Sequence, residues 1–206
     1  MARQRQVSNE QILRVARKCF VKHGPSLSTE VIADKLGVSQ PALFKRFKSK
    51  RELMIAALAP PEVAGWISEL QAGPDDRPFR EQLEELANRV TDYFRDISPC
   101  LSVLSSSGIP SKELMARYAV PPPIAAIRSL TDWLERCAHK GLIRKTEFEA
   151  TAMAMLGSLH FQAFLSYVAG QTLSSLSRRS YIKACVELYA RGLEPNLKAR
   201  TSRKGK

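Results

Sequence analysis

Lys45, Arg46, Lys48, Lys50 and Arg51 fall within seven positions, directly after Gln40 and among Leu43, Phe44 and Phe47, in the run LGVSQPALFKRFKSKREL (36–53). Ammonium and guanidinium groups at this density favour phosphate oxygens, and an amide such as Gln40 can donate and accept at once, as base edges do. No comparable set exists for catalysis. His23, His139 and His160 stand far apart, with no HExxH motif, phosphate loop or carboxylate cluster at metal-ligand spacing. Paired acids such as Glu84 and Glu85 read as the solvated face of an amphipathic helix. The sequence therefore predicts no catalytic residue, no metal site and no cofactor.

The charge is uneven along the 206 residues. Positions 1–58 hold 12 Lys/Arg against 4 Asp/Glu, positions 59–194 hold 15 against 16, and the last twelve hold 5 against none. The middle is an ordinary near-neutral body, and the excess that gives a net charge of +12 sits at the ends. Such a basic N-terminal module suits a polyanion, DNA or RNA being the usual one, or else forms a solvated surface. Cys19, Cys100, Cys137 and Cys185 form no CxxC pair, which fits a reducing cytoplasm rather than a disulfide scaffold. No apolar leader follows Met1. The segment 150–177 carries no charged residue but includes Ser158, His160, Gln162, Ser166 and Gln171. It reads as a helix covered by protein rather than by lipid.

Apolar spacing predicts an all-α chain of about nine helices. Ser8 caps the first, with Ile12, Val15, Ala16, Cys19 and Phe20 on one face and Gly24-Pro25 as its stop. Ser28 caps a second, TEVIADKL, which ends at Gly37. A third, QPALFKRF, opens at Ser39, with Pro41 tolerated in its first turn. Ser49 and Glu52 predict a capping box for the fourth, which meets Pro60-Pro61. A long amphipathic helix closes at Pro99, weaker pieces fill 100–123, and three helices follow over about 124–140, 147–170 and 178–193. The domain boundaries predicted are 1–48 for the basic module with an arm at 1–7, 49–194 for the body, and 195–206 for a basic tail too poor in apolar residues to fold.

The pattern ILRVARKCFVKHG … VIADKLGVSQPALFKRFKSKREL, from about Ile12 to Leu53, resembles the DNA-binding domain of TetR/AcrR-type transcriptional regulators. Its turn, LGVS, is a helix-turn-helix junction: Gly37 makes the tight turn, Val38 plugs the inter-helix angle and Ser39 opens the second helix. Phe44 stands where the family most often has tyrosine, and Leu27 where threonine is common. The rest of the body resembles the family only in architecture.

Leu43 and Phe47 lie one turn apart and are expected in a core with Val38, Ile32 and Phe20. The same rotation turns Ser39, Gln40, Ala42, Phe44 and Lys45 outward, toward a major groove. The resemblance implies a contact set of Ser28, Thr29, Ser39, Gln40, Pro41, Ala42, Phe44, Lys45, Lys48 and Lys50. Phe44 has a second reading as a core residue, and Arg46 and Lys48 as solvated charges. Lys50 and Arg51 open a helix, where cations are disfavoured. They make sense there if a phosphate binds, or if Glu52 compensates them.

The family architecture further implies a homodimer on a palindromic double-stranded operator, joined by the last two helices. The residues expected there are Leu156, Phe164, Leu165, Ile182, Cys185, Leu188 and Tyr189; burial within one chain is the alternative. It also implies a cavity for a hydrophobic or amphipathic small molecule. Trp66, Leu86, Tyr93, Phe94, Leu104, Met115, Tyr118, Ile127, Trp133, Met153 and Phe161 are candidates for its wall or, equally, for plain core. The function so implied is a ligand-responsive regulator, most often a repressor, that acts in the cytoplasm without membrane partners. An architectural DNA-binding or partner-binding protein of the same fold is the competing reading.

Overall fold

Ser8 starts the first helix through a full capping box, its hydroxyl accepting from Gln11 N while the Gln11 side chain accepts from Ser8 N. The computed structural model describes residues 7–168 and 176–195. The basic arm before residue 7, the end of the uncharged segment at 169–175 and nearly all of the basic tail lie outside the described residues.

The described residues form ten helices and no strand: α1 (Asn9–His23), α2 (Thr29–Leu36), α3 (Gln40–Phe47), α4 (Lys50–Leu58), α5 (Gly65–Gln71), α6 (Phe79–Ser106), α7 (Ser111–Met115), α8 (Pro122–His139), α9 (Phe148–Val168) and α10 (Arg178–Leu193). They divide into two compact units. One contains the residues up to Pro61 with Asp96–Ala119; the other contains Glu62–Arg95 and the residues from Val120 on.

In the first unit α1 packs on α2 and α4, and α3 packs on α2 and α4. Phe20, Ile32, Leu43, Leu53 and Leu58 are fully buried, so one apolar stripe from each of α1 to α4 closes the core. Val38 and Phe47 are half-buried at its edge. The turn between α2 and α3 is a Schellman motif: Val38 N donates to Ala33 O and Gly37 N to Asp34 O, both at 3.1 Å. Gly37 sits at φ 67° and ψ 32°, the left-handed region that a residue with a Cβ enters only at a cost. This unit runs past the boundary expected at residue 48, because α4 is part of its core and is tied to α7.

The sequence also predicts that Pro99 closes the long helix, but α6 continues through it to Ser106. A proline there removes one intrahelical N–H bond, at a cost of about 3 kcal/mol. Burial of Cys100, Val103 and Leu104 on the following turns offsets that cost. The capping box expected at α4 is half-formed: Ser49 Oγ accepts from Glu52 N at 3.1 Å, while the Glu52 carboxylate goes elsewhere.

The second unit is built from α5, the first part of α6, α8, α9 and α10 around one apolar cluster. Trp66, Leu83, Val90, Leu130, Trp133, Leu134, Met155, Leu159, Ile182 and Val186 are among its buried members. Phe79 stacks on Trp133 with ring centroids 5.8 Å apart. Arg178 bridges α10 to Asp92 at 2.8 Å, and Arg136 donates to the carbonyls of Leu70 and Gln71 at the end of α5.

Candidate nucleic-acid interface

Leu43 anchors α3 with no exposure at all, and its burial decides what the rest of the helix presents. Ser39, Pro41, Ala42, Lys45 and Lys48 are exposed, and Gln40, Phe44 and Lys50 are half-buried. Most of the sequence-predicted set is thus exposed or half-exposed, with two refinements. Ser28 is exposed, but its hydroxyl already accepts from Glu30 N at 3.2 Å as the cap of α2. Thr29 is only 3% exposed and lies behind Gln40, whose Nε2 donates to Thr29 Oγ1 at 2.7 Å. Ser39, the N-cap of α3, makes no side-chain cap bond, so its hydroxyl faces outward uncommitted.

The cations divide by partner. Arg46 donates to the carbonyl of Val7 and to Asn9 Oδ1, pinning the end of α3 to the start of α1. Arg51 donates to both carboxylate oxygens of Glu113 at 2.6 Å. Arg117 does the same to Glu52 at 2.8 and 2.9 Å, so two crossed forks join α4 to α7 and to the turn just after it. The Arg117 fork holds the Glu52 carboxyl below the usual range, and the Arg51 fork does so for Glu113. Lys45, Lys48 and Lys50 form no salt bridge among the described residues, so their charge remains available to a phosphate. Of the two cations for which the sequence suggests a phosphate role, Arg51 is thus already committed to a carboxylate and Lys50 is not.

Lys48 caps α3 at φ 62° and ψ −43°, and Ser49 N donates to Phe47 O at 2.7 Å. This three-residue γ-turn with positive φ is rare and strained for a side-chain-bearing residue. It swings the chain from the end of α3 into the first turn of α4. Neither this turn nor the crossed forks is visible in the spacing of residues; the only hint of the forks is that Glu113 and Arg117 stand four apart.

The predicted cavity residues are divided between the two units and the exposed face of α9. Trp66, Leu86, Tyr93, Phe94, Ile127 and Trp133 join the apolar cluster of the second unit. Leu104, Met115 and Tyr118 belong to the first unit, where Tyr118 donates its hydroxyl proton to Pro60 O at 2.6 Å. Met153 and Phe161 are exposed, because Ala152, Met155, Leu156, Leu159 and Ala163 take the inward face of α9. A cavity of about 10 Å³ does exist in the second unit, lined by Leu83, Leu86, Val90, Leu130, Leu156 and Tyr189 with their neighbours. It is about the size of one water molecule. Nearby in the cluster, Trp66 Nε1 is buried without a hydrogen-bond partner. Tyr93, Phe94, His160 and Phe164 continue from Trp66 as a chain of ring contacts.

Of the residues expected at a dimer interface, Leu156 and Ile182 are buried within the chain, and Leu165, Cys185 and Tyr189 are half-buried. Phe164 and Leu188 are exposed. The outer stripe of α9 is Met153, Gly157, Phe161, Phe164 and Val168, at spacings of three to four residues. Periodicity fixed that the helix is apolar all round and could not say which side faces in.

Residues 12–57 match the family described as bacterial regulatory proteins, tetR family. Solved regulators share the fold along nearly the whole chain. A TetR transcription regulator from Haloarcula marismortui ATCC 43049 superposes with a TM-score of 0.69 at 17% identity, covering 90% of this chain and 97% of that one. The fatty acid degradation regulator FadR from Bacillus halodurans gives 0.64 at 13%, covering 90% and 96%. The flavonoid-responsive regulator FrrA gives 0.59 at 22%, covering 90% and 96%. Among curated proteins none matches the sequence. The chain therefore has the fold of a TetR-family transcriptional regulator, with that family's helix-turn-helix at its N-terminal end. Among the described residues no helix is long and apolar enough to cross a membrane.

Proposed function

We propose that the chain is a sequence-specific, ligand-responsive transcriptional regulator that binds a palindromic duplex operator as a homodimer and acts most often as a repressor. The observation that carries the reading is the outer face of α3. Gln40, Ala42 and Lys45 flank the fully buried Leu43, and unpaired Lys48 and Lys50 follow. Such a helix, rigid from behind and cationic at its end, suits a major groove between two phosphate rows.

One reader covers too few base pairs for a genomic site, so a second copy is required. The outer stripe of α9 supports that partner: Phe161 is 57% exposed and Leu188 of α10 is 70% exposed. Two apolar helix faces of this kind, placed against their own copies, make a self-complementary two-fold interface.

The ligand reading rests on the second unit. Its cluster holds a small apolar cavity and one buried donor, Trp66 Nε1, without a partner. An unsatisfied buried N–H costs about 1–3 kcal/mol, which an acceptor on a ligand would recover. Pockets for small molecules occupy roughly 300–1,000 Å³, so entry must part α6, α8, α9 and α10. A largely apolar molecule suits these walls. Coupling of about 1–3 kcal/mol between that site and the reader would release DNA by 5- to 150-fold. The Pro60-Pro61 segment is the proposed lever.

Selection of bound duplexes from a random pool by the full chain tests the proposal. A two-fold symmetric motif is the expected result. Binding without any enriched motif would instead favour an architectural role.

A further inference from the structure

We propose that Thr29 sets the base preference of the reader by fixing the amide of Gln40, so that Gln40 accepts adenine and rejects guanine. The inference rests on the DNA-reading role given above and concerns one base pair in each half-site.

Thr29 is the first residue of α2 and is 3% exposed. Its hydroxyl is not needed to cap that helix, because Ser28 already accepts from Glu30 N. It meets Gln40 Nε2 at 2.7 Å instead. Gln40 opens α3 and is half-buried, at the edge of the exposed face.

A free glutamine amide has two N–H donors and one carbonyl acceptor. Its N–H groups can donate to guanine N7 or O6; one donor with the carbonyl can bond adenine N7 and N6–H. The Thr29 bond consumes one N–H. What remains is one donor and one acceptor, the pair that adenine N7 and N6–H call for, and the amide can no longer turn its nitrogen toward guanine O6. Turned to guanine, the fixed carbonyl would face O6, acceptor against acceptor. A buried residue that touches no base therefore decides which base is read.

The test uses the full-length chain and the duplex its own selection enriches. Affinities for that duplex and for a copy with A·T replaced by G·C at the Gln40 position are compared at one salt concentration. The wild type is expected to prefer adenine by roughly tenfold or more, as a bidentate pair does. Thr29→Val and Thr29→Ala should bring the ratio close to one, with the salt dependence unchanged. Thr29→Ser, which keeps the hydroxyl, should retain the preference. Gln40→Ala should abolish it, and adding Thr29→Val to that variant should change nothing further. Equal weakening on both duplexes in the Thr29 variants, or an unchanged ratio, overturns the inference. So does a wild-type motif with no adenine at that position. Failure of the wild type to enrich any motif is a different outcome, and defeats the DNA-reading role itself.

Discussion

Arg51 and Glu113 meet in a two-bond fork, Nη1 to Oε1 and Nη2 to Oε2, each 2.6 Å long. Beside it, Glu52 accepts an equivalent fork from Arg117, so adjacent residues of α4 hold Glu113 of α7 and Arg117 in the turn just after it. Single exposed ion pairs contribute little, but forked geometry and shared charges make this a network that fixes α7 on the reader side of the chain.

The first prediction concerns that network and pH. Both carboxyls lie below their ordinary values because of the arginine forks. A carboxyl depressed in the folded state stabilises it fully above the unfolded value, near 4.5, and progressively less as pH falls through the folded value. The protection factors of the α7 amides, taken relative to the intrinsic exchange rate at each pH, should therefore fall below about pH 4.5, where these groups take up protons. Arg51→Ala should produce the same loosening at pH 7, and Arg51→Glu combined with Glu113→Arg should reverse it.

Lys48 carries the second. At φ 62° it holds a conformation that glycine adopts freely. Lys48→Gly should raise stability by about 1 kcal/mol in urea unfolding, since relief of strain outweighs the glycine's extra chain entropy. The same substitution should weaken duplex binding by removing an unpaired ammonium. Lys48→Ala should weaken binding equally without the gain in stability.

Much of this was legible in the residues and some was not. The caps at Ser8 and Ser28, the stop at Gly37 and the buried Leu43 follow from local spacing, and so the reader module could be drawn before its coordinates. The γ-turn at Lys48 was not legible, because nothing in a lysine announces positive φ. Nor were the forks of Arg51 and Arg117, whose partners lie more than sixty positions away. Pro99 misled in the opposite direction: a local rule stopped the helix, and burial of Cys100 and Leu104 carried it on. On α9, where most residues are apolar, pattern alone placed Met153 and Phe161 inward and Leu156 outward, whereas Met153 and Phe161 are exposed and Leu156 is buried.

Lys50 and Arg51 are neighbours with opposite fates, and this gives a third prediction. Lys50→Ala should lower the slope of log affinity against log salt by about 0.9, the release of one counterion. Arg51→Ala should leave that slope nearly unchanged, because its guanidinium is already committed to Glu113. Titrations of one duplex across a salt series distinguish them.

The fourth concerns assembly. Phe161→Glu or Leu188→Glu places a charge on an exposed apolar face without disturbing the core. Each should convert a dimer to monomer in sedimentation at micromolar concentration, while the thermal unfolding of the chain's core is retained. A dimer that survives both changes would place the interface elsewhere.

The central claim, that the outer face of α3 reads a specific duplex, is tested most directly by one ratio. Anisotropy titrations at a single salt concentration compare the selected duplex with a scrambled duplex of the same length and composition. The account predicts a preference of roughly 10³-fold or more, the span that separates specific from non-specific binding. Equal affinity for the two duplexes would contradict it.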